Sequence, residues 1–207
     1  NNPYSKYSYY FITEGDAPLT MAQLAAPSAT NQTITTYPEH AVIENDAFSW
    51  YTGGRTFFDS YNYANGNSQN YTINTPDADN SYTSEICVAF SASSTSVTTA
   101  KVMLGSTSLG TITLGAMTSE YDKATTATKF FETKTLLNSN VLNINTTTGR
   151  NARLDYIRVC YRRKLKLNGN HLVFSHYSSL PSTFVLQGAN ANTEVWRIGY
   201  PGNPTAK

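Results

Sequence analysis

Apolar and polar residues alternate along most of this chain, with turn residues every ten positions or so, and no long segment carries a helical repeat. A period of two sends successive side chains to opposite faces of an extended backbone, so the pattern predicts strands that bury one face. Strands are expected at 6–13, 33–37, 48–51, 70–74, 85–92, 100–105, 109–114, 128–133, 141–145, 154–162, 171–175, 184–187 and 194–198. The clearest hairpin is 101–114, where Gly105-Ser106-Thr107-Ser108 separates two apolar runs. Segments 128–133, 141–145 and 154–162 follow one another closely, which predicts sequential antiparallel partners. One short helix is expected at 19–26, with Thr20 capping Met21-Ala22-Gln23-Leu24. The fold class is therefore all-β: an antiparallel, jelly-roll-like β-sandwich of the galactose-binding-like kind, with little helix. Residues 1–38 are expected as a lead-in extension packed on the sandwich, and 39–207 as the sandwich itself, with its last strands leading toward a downstream domain. One continuous domain over 1–207 is the alternative.

Length and composition narrow the function classes. A chain of 207 residues can bury one large core without a metal or disulfide staple. Charged residues supply 14%, well below the usual quarter, so solubility rests on Ser, Thr and Asn, as in many secreted β-proteins. A net charge of +1 gives no global field to gather nucleic acid, and no broad basic stripe replaces it. No apolar run approaches the roughly 20 residues that cross a bilayer. The stretch from Tyr7 to Thr13 already looks mid-strand and 201–207 looks like a linker, so the chain is expected to be a piece of a longer exported protein.

The residues that could carry chemistry are few. A nucleophilic thiol needs a nearby imidazole or other cation at a partly exposed strand end or helix start. Cys87 and Cys160 instead sit mid-strand between apolar neighbours, on the more polar face, where one disulfide or none is compatible with the spacing. His171 and His176 fall on opposite faces of one short strand, and His40 stands alone behind Pro38-Glu39. No catalytic residue is assigned, and no zinc spacing occurs. Asp77-Ala78-Asp79-Asn80 offers closely spaced oxygens that suit a structural calcium, but lacks the glycine and distal glutamate of a recognised loop, and a solvated turn explains it better. No cofactor is expected. Trp50, Tyr51, Tyr61, Tyr63 and Tyr71 gather near the first long loops, where exposed rings would stack on sugars; tyrosine is equally at home in half-buried strands. Arg158, Arg162, Arg163, Lys164 and Lys166 form the local basic cluster, readable as a dock for an acidic partner or as protection of a long strand against edge pairing. Asn31, Asn70 and Asn145 open Asn-x-Ser/Thr triplets, a weak signal in so Thr-rich a chain.

Four stretches, in order, carry a family resemblance. The chain opens Asn2-Pro3-Tyr4-Ser5-Lys6-Tyr7, and Ile43-Glu44-Asn45-Asp46 leads into Phe48-Ser49-Trp50-Tyr51-Thr52-Gly53-Gly54-Arg55. Leu154-Asp155-Tyr156-Ile157-Arg158-Val159-Cys160-Tyr161-Arg162-Arg163 then reads as a long sandwich strand, and Val195-Trp196-Arg197-Ile198 follows. Together they resemble the region ahead of the catalytic domain in PorU-like sortases, the gingipain-type cysteine peptidases of the bacterial type IX secretion system. The resemblance implies an exported, surface-located or secreted parent that processes the sorting signals of other proteins. It implies for this segment a non-catalytic place, with a downstream peptidase domain of the same polypeptide as its partner. The rival reading is a carbohydrate-binding jelly roll of a bacterial surface protein, using the Trp50 cluster on a glycan.

Overall fold

The computed structural model describes Glu14 and residues 32–178, 180–198 and 204–206. The expected strand at 6–13 and helix at 19–26 lie outside the described residues. The chain divides into two compact units, Ala29–Ala189, and Asn1–Ser28 with Asn190–Lys207.

In the larger unit the strands are β1 (Gln32–Ile34), β2 (Thr36–Glu44), β3 (Ser68–Asn74), β4 (Ser84–Ala92) and β5 (Thr98–Leu104). Then come β6 (Thr107–Leu114), β7 (Thr125–Thr133), β8 (Ser139–Thr148), β9 (Ala152–Lys164) and β10 (Ser182–Phe184). Eight of them make two four-stranded sheets in the orders β2-β9-β4-β7 and β3-β8-β5-β6, every pairing antiparallel. This is an all-β antiparallel sandwich with jelly-roll topology, as the alternation predicts. Apart from the β5–β6 hairpin, each connection from β2 to β9 crosses from one sheet to the other. For that reason β7, β8 and β9 are not sequential partners: β7 pairs with β4, β8 with β3 and β5, and β9 with β2 and β4.

Alternation builds the core. Ile86, Val88 and Phe90 on β4 and Leu154, Ile157 and Val159 on β9 face Ala100 and Val102 on β5 and Leu142 and Ile144 on β8. Each is almost wholly removed from water, and burying one such aliphatic or aromatic side chain stabilises by roughly 1.5–3 kcal/mol. One irregularity resets the phase. Ala89 pairs with Tyr156 but Phe90 with Leu154, so β9 carries an extra residue, Asp155, outside the ladder. Leu154 and Ile157 both point inward across this bulge, although three positions separate them.

Several expected strands changed. β2 runs straight through Pro38, where the sequence suggested a stop, because β2 is an edge strand and needs no partner for the missing N–H. The neighbouring His40 N–H is also withdrawn from pairing, donating to Glu39 Oε1 at 3.0 Å. Residues 48–51 form no strand; Phe48 only bridges Phe58. Residues 171–175 join no ladder, and the strand expected at 184–187 appears as β10, parallel to β1. In the smaller unit, β11 (Arg197–Ile198) and β12 (Pro204–Ala206) pair antiparallel.

Candidate functional site

The loop end of the sandwich concentrates the unusual features. Four connections meet there: 45–67 after β2, 93–97 after β4, 115–124 after β6 and 149–151 after β8. Hydrogen bonds tie them into one piece. Ser93 N–H donates to Asn151 O at 2.9 Å, and Met117 N–H to Ser94 O at 2.8 Å. Asn62 Nδ2 donates to Asn151 Oδ1 at 3.3 Å, and the Lys123 N–H to Tyr51 Oη at 3.2 Å.

The long 45–67 loop is organised around Asp59, a buried carboxylate. Its Oδ1 accepts the Tyr61 N–H at 2.9 Å. Beneath it lies a buried pair of hydroxyls: Tyr63 O–H donates to Tyr71 Oη at 2.9 Å. Burial is the main cause holding both phenols well above the ordinary tyrosine range. Arg153, on β9, clamps the loop from outside. Its Nη1 donates to Asp59 O at 3.1 Å and Ser60 O at 2.6 Å, and its guanidinium lies 3.6 Å from the Phe48 ring centroid and 5.6 Å from Trp50. Burial lowers the Arg153 pKa without threatening its charge.

The aromatic cluster read from the sequence therefore separates. Tyr63 is fully buried and Tyr71 nearly so, their hydroxyls paired with each other under the loop; no surface ligand reaches Tyr63. Trp50 is half-buried, edge-on to Phe48 at 4.8 Å, and its indole N–H donates to Ser91 Oγ at 2.8 Å. Tyr51 is exposed, and Tyr61 is half-buried with its hydroxyl donating to Ser68 O. Period-two counting could not separate these residues, because most of them lie in a loop rather than on a strand.

The other candidates scatter. Cys87 and Cys160 are free thiols on the outer face of the first sheet; Cys87 pairs with Arg158 and Cys160 with Glu85, so the sulfurs are diagonal neighbours. His40 is the cross-strand partner of Cys160, yet no hydrogen bond joins them, and its Nδ1 lies 4.0 Å from Glu39 Oε1. His171 is exposed, and His176 sits edge-on to Phe184, 3.3 Å from Gln32 Nε2. The oxygens of 77–80 diverge. Asp77 faces Arg163 and Lys166, Asp79 accepts from Ser81, and Asn80 exchanges hydrogen bonds with the Leu136 backbone. Among the described residues, no three His, Cys, Asp or Glu side chains converge as metal ligands. The basic cluster is likewise divided, Arg162 lying over Tyr82 while Arg163 bridges Glu39 and Asp77.

Sequence reading missed a shallow cleft of about 550 Å³ at this loop end, lined by Asn65, Ser94, Ser96, Met117, Arg150 and Asn151 among others. The only advance signal was the Ser93-Ser94-Thr95-Ser96 run, which reads as an ordinary turn. An acidic group lies nearer β2. The β9 bulge leaves Asp155 among Glu44 and Asp46, and burial, then their charges, raise its pKa. A carboxyl that holds its proton more tightly when folded favours folding below its unfolded value of about 3.9, and that contribution disappears as pH rises through the raised folded value. Asp155→Asn is thus expected to raise the melting temperature by a few degrees at pH 7 and leave it unchanged near pH 3. Equal melting temperatures at both pH values would refute this.

No protein-family model matches this sequence, and no curated protein matches it. Solved structures do. Dimeric latent PorU from Porphyromonas gingivalis superposes with a TM-score of 0.68 over 84% of this chain, at 19% identity. Xyl-CBM35, in complex with a glucuronic acid containing disaccharide, matches over 61% of this chain and 87% of its own, with a TM-score of 0.37 and 16% identity. The first likeness is one of fold, and the chain spans only 18% of the length of that PorU chain. The class is an antiparallel jelly-roll β-sandwich. Its arrangement is shared with part of latent PorU.

Proposed function

We propose that this chain is a non-catalytic β-sandwich module of an exported gingipain-type or PorU-like cysteine peptidase, at the cell surface or secreted. In that role it packs against a downstream peptidase domain of the same polypeptide and helps present substrate to it. The observation that carries the reading is the superposition on latent PorU over 84% of the chain. The thiol positions support it: Cys87 is buried mid-strand with Sγ 3.9 Å from Tyr156 Oη, and Cys160 lies on an open sheet face. Among the described residues, neither sulfur is hydrogen-bonded to an imidazole, the partner that activates a nucleophilic thiol, and neither lines the loop-end cleft. Incubating the 207-residue chain with unstructured peptides should give no turnover above the buffer blank. Hydrolysis that vanishes in Cys87→Ala or Cys160→Ala would overturn the proposal.

A second reading, a carbohydrate-binding module, is favoured by one arrangement: Trp50, Tyr51 and Tyr61 share the loop end with an oxygen-lined cleft. Rings beside hydroxyls and amides suit sugars, whose faces are apolar and whose edges are polar.

A further inference from the structure

The cleft at the loop end is built, not incidental. Its wall is the β8–β9 turn, which must carry the chain from one sheet to the other within three residues. Gly149 (φ +88°) and Asn151 (φ +49°) both adopt the left-handed conformation to do so. Asn151 is then fixed on two sides, accepting the Ser93 N–H through its carbonyl and the Asn62 carboxamide through its side chain. Across the cleft, Met117 is held by its N–H to Ser94 O, with Ser93 Oγ directed at its sulfur at 3.9 Å. The frame is therefore ordered before any ligand arrives, which lowers the entropy cost of binding.

Arg150 rises at the apex of that turn. Its side chain is exposed and makes no hydrogen bond or ion pair among the described residues. No Asp or Glu lines the cleft; the other lining groups are the hydroxyls of Ser93, Ser94, Thr95 and Ser96, two asparagines, one glycine and one methionine. The cleft thus offers a single uncompensated positive charge among neutral donors and acceptors, with one apolar contact. A cavity of about 550 Å³ lies within the roughly 300–1,000 Å³ of small-molecule sites.

We propose that this cleft binds a glycan bearing an anionic group, with Arg150 pairing the carboxylate or phosphate and the serine and asparagine side chains taking the sugar hydroxyls. A planar guanidinium matches either anion in a forked geometry, while the neutral groups supply hydrogen-bond partners for sugar hydroxyls. The inference rests on the carbohydrate-binding reading and narrows it to acidic sugars at a named site.

The test is an NMR titration of the full isotope-labelled chain with four probes: glucuronic acid, glucose 6-phosphate, glucose and inorganic phosphate. Both acidic sugars should shift the amide signals of residues 93–96 and 149–151, binding at least tenfold more tightly than glucose or inorganic phosphate. Arg150→Gln, an exposed change that leaves the turn backbone intact, should remove most of that preference. Glucose binding as well as the acidic sugars would sink the anionic proposal while leaving a neutral glycan module standing. Inorganic phosphate binding equally well would reduce the site to a simple anion contact and also overturn it. No shift at these amides with any probe would end both the proposal and the glycan reading of this end.

Discussion

Asp59→Ala is expected to destabilise the sandwich unit by about 2 kcal/mol, because a buried donor left without an acceptor costs roughly 1–3 kcal/mol. The carboxylate accepts the Tyr61 N–H at 2.9 Å and so fixes the turn above the buried Tyr63–Tyr71 pair. With it gone, the Tyr61 N–H loses its acceptor, and water cannot readily replace the lost oxygen at a position only 8% exposed. Asp59→Asn keeps one acceptor and should lose roughly half as much. Urea unfolding followed by circular dichroism measures both. The Trp50 emission should change below the main transition in the alanine variant, since Asp59 and Arg153 together hold the loop that carries it. An alanine variant within about 0.5 kcal/mol of the parent, inside the usual spread for surface changes, would show that the carboxylate is not what fixes the loop.

Gly149→Ala should cost about 3 kcal/mol, combining left-handed strain of roughly 1–2 kcal/mol with overpacking of similar size. A Cβ at this position would lie 2.0 Å from Thr98 Oγ1 and 2.9 Å from the Thr98 Cα. Thr98 is completely buried and has no room to retreat. Gly53 separates the two contributions. It has a similar φ of +75° but open space around the added carbon, so Gly53→Ala should show the conformational strain alone, about 1 kcal/mol. Equal losses in the two variants, read from the same urea titration, would mean that the Thr98 contact is relieved without cost.

The sandwich was legible in the sequence because its strands are regular where they face the core. Ala100-Val102-Leu104 alternate without interruption, Ile86 to Phe90 is the continuous apolar run of a strand covered on both faces, and the hairpin turn at Gly105-Ser106 is where the turn residues place it. What escaped notice was non-local. Nothing in the neighbourhood of β7, β8 and β9 reveals that successive strands belong to opposite layers, and Pro38 disguised an edge strand as a stop. The bulge at Asp155 was equally hidden, since one extra residue changes no composition and only shifts which parity points inward. The candidate site suffered most. Its aromatics lie mainly on an irregular loop sorted by Asp59 and Arg153, two residues that carry no motif, and Arg150 acquires its meaning only when four loops distant in sequence meet.

The layer-crossing path has a consequence for how the molecule is made. Thr36 pairs with Lys164 and Glu44 with Tyr156, so the first sandwich strand waits for the last before its hydrogen bonds can form. β9 also supplies the central partner of β4. Ribosomal synthesis must therefore pass Lys164 before the first sheet closes, and until then the oily faces of β2 and β4 stay uncovered. Topologies dominated by such distant pairings acquire their shape in milliseconds to seconds rather than microseconds. A polypeptide with this delay remains threadable while it is being elongated, and becomes a closed obstacle only once its thirteen-residue final strand is in place.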